Sequence, residues 1–110
     1  MAIASIFRDR DGHLRASVDA FPPILADFLE TDVAENPERC DHLIAGLEQA
    51  RQGLPFKAYG NIYELTAAPE GVEIRNTYDD TIPPLRLSLD ELDTALAVWR
   101  QAMEPDPNPP

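Results

Sequence analysis

The sequence predicts a small α+β domain in which three helices pack on one face of an antiparallel sheet. Three observations support this. Polar and apolar residues alternate in several short stretches, apolar residues recur every three or four positions in others, and turn or helix-start residues separate them. The elements follow in the order ββααβββα. This order gives a sheet of about five strands, made of two hairpins and one short strand.

A hairpin is predicted at the start of the chain. Residues 2–8 and 13–19 form its strands, and residues 9–12 form the turn, where Gly12 can supply a positive φ. Apolar residues occupy every other position from 14 to 18, the period of a half-buried strand.

Two helices are expected next. Pro22 and Pro23 start the first, because proline is tolerated in the first helical turn. Asn36 caps the second, proline follows at its first position, and Gly53 ends it.

The second hairpin is predicted from residues 56–67 and 72–78, with Pro69-Glu70-Gly71 as its turn. Gly60 interrupts the first of these strands and marks either a bulge or a second tight turn. A loop at residues 79–84 follows, and the alternation of Leu85 and Leu87 adds a short strand.

The last helix is predicted over residues 88–103. Ser88 and Glu91 have the spacing of a capping box. The apolar residues from Leu89 to Met103 are spaced 3, 4, 3 and 4, so Trp99 is expected in the core. Residues 1–103 form one domain in this interpretation, and residues 104–110 form a proline-rich flexible tail.

Charge restricts the classes of partner. Twenty carboxylates against nine basic side chains give a formal charge of −11. Seven acids and one base lie between residues 27 and 48, and five acids and one base between residues 64 and 80. Such a field repels phosphate backbones and anionic membranes and attracts basic proteins. We therefore expect a protein partner, with no nucleic acid and no membrane. The single cysteine, together with the lack of a leader pattern and of a long apolar run, predicts a cytoplasmic location.

Candidates for catalysis are few. Cys40 is the only cysteine, and it lies two positions from His42, so on a helix the two side chains point about 200° apart. His13 stands beside a turn, and no phosphate-binding glycine loop is present. The sequence therefore predicts a protein that is not an enzyme, with no cofactor, metal or small-molecule ligand.

The second hairpin and its loop hold the candidate binding residues. Asp79-Asp80 suits a solvated loop, contact with a basic partner, or a metal or catalytic site. The tyrosines nearby suit strand packing or an interface, where the ring is buried and the hydroxyl stays paired. The predicted partner-binding residues, considered together with the acids of residues 27–48, are Glu73, Asn76, Tyr78, Asp79 and Asp80.

Three segments carry a resemblance to known families. They are Phe7-Arg8-Asp9 with Gly12 and Arg15, residues 60–65 leading to 71–74, and residues 87–92 with Ala95, Trp99 and Arg100. In this plan the chain resembles the YacL-like small bacterial proteins. It also resembles the immunity proteins of contact-dependent growth-inhibition and related polymorphic toxin systems. The resemblance implies neutralisation of a toxin by tight binding and carries over no catalytic residue.

Two function hypotheses follow. In the first, the protein is an immunity protein that blocks the cleft of a cognate, basic nuclease-type toxin domain. In the second, it is a housekeeping or regulatory interaction module without a toxin. A small metal-dependent enzyme built on Asp79 and Asp80 is a distant third.

Overall fold

The computed structural model describes residues 6–17 and 19–103. The predicted strand positions 2–5, Val18 and the predicted tail 104–110 lie outside the described residues. The elements, in chain order, are β1 (Ile6–Arg8), β2 (Leu14–Ala16), α1 (Pro23–Phe28), a π-helical turn (Leu29–Val33), α2 (Pro37–Arg51), β3 (Phe56–Tyr59), β4 (Tyr63–Ala68), β5 (Gly71–Asn76), β6 (Leu85–Leu87) and α3 (Leu89–Met103).

The described strands form two antiparallel sheets. One contains β1 and β2, and the other has the order β3-β4-β5-β6. The predicted α+β class with three helices is confirmed, but the prediction of one sheet of about five strands is wrong. The run expected at residues 56–67 divides at Gly60, whose N–H donates to the carbonyl of Tyr63 at 2.9 Å. Gly60 therefore starts a second tight turn, one of the two alternatives that the sequence allowed.

The core lies between the four-stranded sheet and the helices. In β4 and β5, every other residue is buried, which leaves the opposite face of the sheet open. Helix α2 contacts β3 and β4, while α3 contacts α2 and β5. Trp99, Leu92 and Leu96 have no exposed surface, so the predicted core face of α3 is confirmed.

Carboxylates of the α1–α2 segment hold the β1–β2 hairpin. Glu30 accepts hydrogen bonds from the Arg15 guanidinium at 3.0 Å and from the Ala16 N–H at 2.9 Å. Glu35 accepts one from the Arg8 guanidinium at 2.8 Å. This contact with Arg8 holds the pKa of the Glu35 carboxyl below its usual value. A two-stranded ribbon has little stability alone, and these contacts attach it to the helical layer.

The predicted helix ends are confirmed. The Asn36 side chain accepts from the N–H of Arg39 at 3.1 Å, and Gly53 follows the end of α2 with a φ of +93°. At α3, the Ser88 hydroxyl accepts from the Glu91 N–H at 3.0 Å, and the Glu91 carboxylate accepts from the Ser88 N–H at 2.9 Å. These side chains satisfy N–H groups that have no partner inside the helix.

The π-helical turn ends in a strained residue that the sequence did not predict. Ala34 has a φ of 52° and a ψ of −147°, a region that is nearly restricted to glycine. Its N–H donates to the carbonyl of Leu29 at 2.8 Å, and its carbonyl accepts from the Trp99 indole N–H at 2.7 Å. Contacts on both sides therefore hold Ala34 in this conformation.

Ala34→Gly should raise the free energy of unfolding by about 1 kcal/mol, because relief of backbone strain exceeds the entropy that glycine adds to the unfolded chain. Urea denaturation followed by circular dichroism measures the difference. Ala97→Gly, on the exposed surface of α3, is the matched control and should instead cost about 1 kcal/mol. A loss of stability in Ala34→Gly would contradict the assignment of strain.

Ser88→Ala should lower the free energy of unfolding by about 1 kcal/mol, because it removes the acceptor for the Glu91 N–H. Thermal denaturation measures this loss. Ser88→Asp keeps an acceptor and adds a negative charge at the helix start, so it should restore the melting temperature. Equal stability of Ser88→Ala and wild type would count against the capping box.

Candidate partner-binding surface

Two connections meet at one end of the four-stranded sheet. They are the β3–β4 turn, residues 60–62, and the β5–β6 loop, residues 77–84. The Thr77 N–H and hydroxyl both donate to the carbonyl of Ile62, at 2.9 and 2.7 Å, and so join the loop to the turn. Five exposed residues at this end define what is hereafter called the loop-end surface: Tyr59 at the end of β3, Asn61, Tyr78, Asp79 and Asp80.

Hydrogen bonds order the β5–β6 loop although it is exposed. The Asn76 side chain accepts from the N–H groups of Tyr78 at 2.8 Å and Asp79 at 3.1 Å. The Asp79 carboxylate accepts from the hydroxyl and the N–H of Thr81. Both bonds lower the pKa of the Asp79 carboxyl below its usual value, and the bond from the Thr81 hydroxyl has the larger effect. Asn76 and Asp79 therefore shape the loop.

Tyr78 and Asp80 are free to contact another molecule. The Tyr78 side chain is 80% exposed. The Asp80 carboxylate is exposed and has no hydrogen bond or ion pair among the described residues. Tyr59, at the end of β3, is 65% exposed. Exposed tyrosines next to a carboxylate without a partner suit the binding of another protein. The tyrosine rings supply contact area, and the carboxylate attracts a basic side chain.

Glu73 lies away from this surface. It projects from the open face of the sheet, opposite to Asn76, because the two residues are an odd number of positions apart on β5. Its carboxylate pairs with the Arg86 guanidinium at 3.6 Å. The structure thus places Tyr78, Asp79 and Asp80 on the loop-end surface, with the half-buried Asn76 bound to the loop backbone, and separates Glu73.

The open face of the sheet is not acidic. Glu64 pairs with Lys57 at 3.7 Å and with Arg75 at 2.9 Å, and Glu73 pairs with Arg86. Three basic and two acidic residues therefore share this face. A basic partner finds less attraction here than at the loop-end surface.

The acids of residues 27–48 do not form one free surface. Asp27 accepts a hydrogen bond from the Tyr63 hydroxyl at 2.6 Å, Asp41 pairs with Arg100 at 3.0 Å, and Glu48 lies 3.8 Å from the guanidinium of Arg51. Glu30 and Glu35 hold the β1–β2 hairpin. Most of this negative charge serves contacts within the protein.

Asp32 supports the loop-end surface from inside. It is only 7% exposed, and its carboxylate accepts from the N–H groups of Ile62 at 3.0 Å and Tyr63 at 2.8 Å. Any side chain at Gly60 would collide with this carboxylate. From the sequence, Asp32 was grouped with the acids of residues 27–48 as a possible partner contact, and its role inside the protein was not predicted. The available signal was Gly60, which indicated a close approach of another group but not which one.

The other reactive side chains have structural environments. Cys40 is buried, and burial, followed by the nearby Asp41 charge, raises the pKa of its thiol to about 11. The His42 ring packs edge-on against Phe56 with centroids 5.4 Å apart, and His13 lies 3.9 Å from Glu35. Across residues 6–17 and 19–103, no group of three or more His, Cys, Asp or Glu residues is placed to hold a metal ion.

None of the helices within the described part of the chain is both long enough and apolar enough to span a membrane.

No family model, no curated protein and no solved structure matches this chain. The resemblance to YacL-like proteins and to toxin immunity proteins therefore remains a hypothesis from the sequence.

Asp32→Asn should lower the free energy of unfolding by about 2 kcal/mol, because an amide cannot accept from both the Ile62 and Tyr63 N–H groups in the geometry of the carboxylate. Urea denaturation gives the loss, and hydrogen exchange at the Tyr63 amide should become faster. Glu70→Gln, at an exposed position in the β4–β5 turn, is the matched control and should change neither quantity. Wild-type stability of Asp32→Asn would show that the carboxylate is dispensable.

Proposed function

We propose that this protein is a non-enzymatic immunity protein. It binds a cognate toxin domain of the basic, nuclease type through the loop-end surface and blocks the cleft that binds nucleic acid. The observation that carries the proposal is the hydrogen-bonded β5–β6 loop, which presents Tyr78 at 80% exposure next to the unpaired Asp80.

Order in the loop favours tight binding. A loop that is disordered before binding loses conformational entropy when it is fixed, and that loss reduces affinity. Here Asn76, Asp79 and Thr77 already hold the backbone on both sides of Tyr78. Tyrosine is also among the residues that most often dominate binding energy.

Charge favours a basic partner. The formal charge of −11 attracts a cationic domain over distances comparable to the Debye length, about 8 Å at physiological ionic strength. Nucleases that act on RNA or DNA need basic clefts for the phosphate backbone. An acidic protein that covers such a cleft prevents substrate from entering without any reaction of its own, so this function requires no catalytic residue or cofactor. A cytoplasmic location, where such a toxin meets nucleic acid, fits the proposal.

To test the proposal, a toxin gene is sought next to the gene for this protein, and its product is purified. The two proteins should co-purify, and association should slow markedly between 0.1 and 1 M salt, as the Debye length falls from about 10 to about 3 Å. If no toxin partner is found and another protein co-purifies, the interaction-module hypothesis replaces the immunity hypothesis.

Asp80→Lys should slow association by about tenfold and weaken protection of cells against the toxin, because it reverses an exposed charge and removes no hydrogen bond described in the loop. Stopped-flow measurements give the association rate. Glu70→Lys, the matched control, makes the same change of charge in the β4–β5 turn at the opposite end of the sheet. Equal effects of the two variants would mean that only the overall charge matters, and that the loop-end surface is not the contact.

A further inference from the structure

The outer edge of β6 offers free backbone groups. In an antiparallel pair of strands, the backbone N–H and carbonyl groups of successive residues point to alternate sides. The hydrogen bond from the Thr77 N–H to the Ile62 carbonyl therefore shows which residues of β5 direct these groups toward β4, and the residues between them direct theirs toward β6. Given the register of β5 and β6, the backbone groups of Leu85 and Leu87 point toward β5. The N–H and carbonyl of Arg86 point away from the sheet, and no hydrogen bond to them is found among the described residues.

The opposite edge of the sheet is covered. Helix α2 packs beside β3, and the Arg39 guanidinium donates to the Tyr59 carbonyl at 2.9 Å. The Gln49 amide donates to the carbonyl of Pro55, just before β3, at 3.2 Å. Side chains of α2 thus occupy acceptors along this edge, whereas no residue within 6–17 or 19–103 covers the outer edge of β6 in this way.

A groove with a mainly apolar lining lies beside β6. It has a volume of about 390 Å³ and runs between the start of α1, Leu87 and the first turns of α3. Leu85 and Leu87, which point toward the helical layer, are only half-buried because β6 is the last strand on this side. Phe21, Pro22, Leu25 and Leu87 line it together with the side chains of Asp90 and Glu91. The Asp90 carboxylate is already paired with the Arg51 guanidinium at 2.7 Å, and the Glu91 carboxylate accepts from the Ser88 N–H at 2.9 Å.

We propose that β6 binds an extended segment of another polypeptide chain, which adds a fifth strand to the four-stranded sheet. Such a segment would exchange two hydrogen bonds with the backbone of Arg86, the pattern of strand addition at an open edge. Its two flanking side chains would point into the groove beside Leu87. This edge is separate from the loop-end surface, and the inference does not depend on a toxin being the partner.

The charge of Arg86 defines the sequence that the edge prefers. The residue paired with Arg86 would lie beside its side chain on the open face, where opposite charges across a strand pair are favourable. The Arg86 side chain is 79% exposed and is held only loosely by Glu73, at 3.6 Å. The preferred segment therefore reads apolar–acidic–apolar, with the acid opposite Arg86.

A second copy of this chain fits the edge poorly. Arg86 is the residue of β6 whose N–H and carbonyl both face outward, so the symmetric antiparallel pairing of two β6 strands that uses both groups is centred on Arg86. This pairing places two guanidinium groups side by side. Like charges directly opposite each other destabilise a strand pair. An acidic residue of a different chain at this position is favoured over a second Arg86.

The probe is a synthetic peptide, acetyl-Ser-Thr-Val-Glu-Val-Thr-Ser-amide, titrated into the ¹⁵N-labelled protein. The largest chemical-shift changes should occur at residues 85–87, Phe21 and Ala95, and hydrogen exchange at the Arg86 amide should slow. A peptide N-methylated at its glutamate cannot donate to the Arg86 carbonyl and should not produce these changes. Changes centred on β3 or on the β5–β6 loop would overturn the assignment of the edge.

A charge exchange tests the role of the Arg86 side chain. Arg86→Glu should weaken binding of the glutamate peptide by about fivefold and strengthen binding of the same peptide with lysine in place of glutamate. Lys57→Glu, on the opposite edge strand, is the matched control and should leave both affinities unchanged. Equal affinity of the wild-type protein for the two peptides would refute the sequence preference.

Dimerisation of the wild-type protein through Arg86, detected by sedimentation and NMR, would overturn the assignment of a different chain as occupant.

Discussion

The buried carboxylate of Asp32 is the contact on which the arrangement of the protein depends most directly. It lies at the end of the first helical segment, yet it binds two backbone N–H groups of the β3–β4 turn. Burial of a carboxylate is costly unless hydrogen bonds replace the lost water, and the Ile62 and Tyr63 amides provide them. The turn then holds Thr77, and Thr77 holds the start of the exposed loop. One carboxylate inside the protein thus determines where Tyr78 is presented outside it.

The acidic composition has two roles that the sequence alone does not separate. Asp27, Glu30 and Glu35 bind partners within the chain and fasten the hairpin and β4 to the helices. Asp80 and Glu38 have no such partners among the described residues. A net charge describes the long-range field of the protein, but the local contact surface depends on which carboxylates remain unpaired.

The sequence predicted features that short stretches determine, and it failed where distant residues decide. The Ser88–Glu91 box and the burial of Trp99 follow from spacing within one helix. The sequence left two alternatives at Gly60, and the contact with Asp32, 31 positions before Tyr63, decides for a turn that divides residues 56–67 into two strands. The π-helical turn likewise depends on the contact of Ala34 with Trp99, so no local sequence pattern predicts it. For the candidate site, adjacency in sequence grouped Tyr78, Asp79 and Asp80 correctly, but strand alternation placed Glu73 on the other face.

The contact between Trp99 and Ala34 gives the protein an intrinsic optical reporter. Trp99 is the only tryptophan, and its indole is fully buried with its N–H bound to a backbone carbonyl. Indole emission shifts to longer wavelength when water reaches the ring. The fluorescence spectrum therefore reports whether the π-helical turn is packed against α3, at the strained residue Ala34. Local opening at this contact is thus visible in the unlabelled protein.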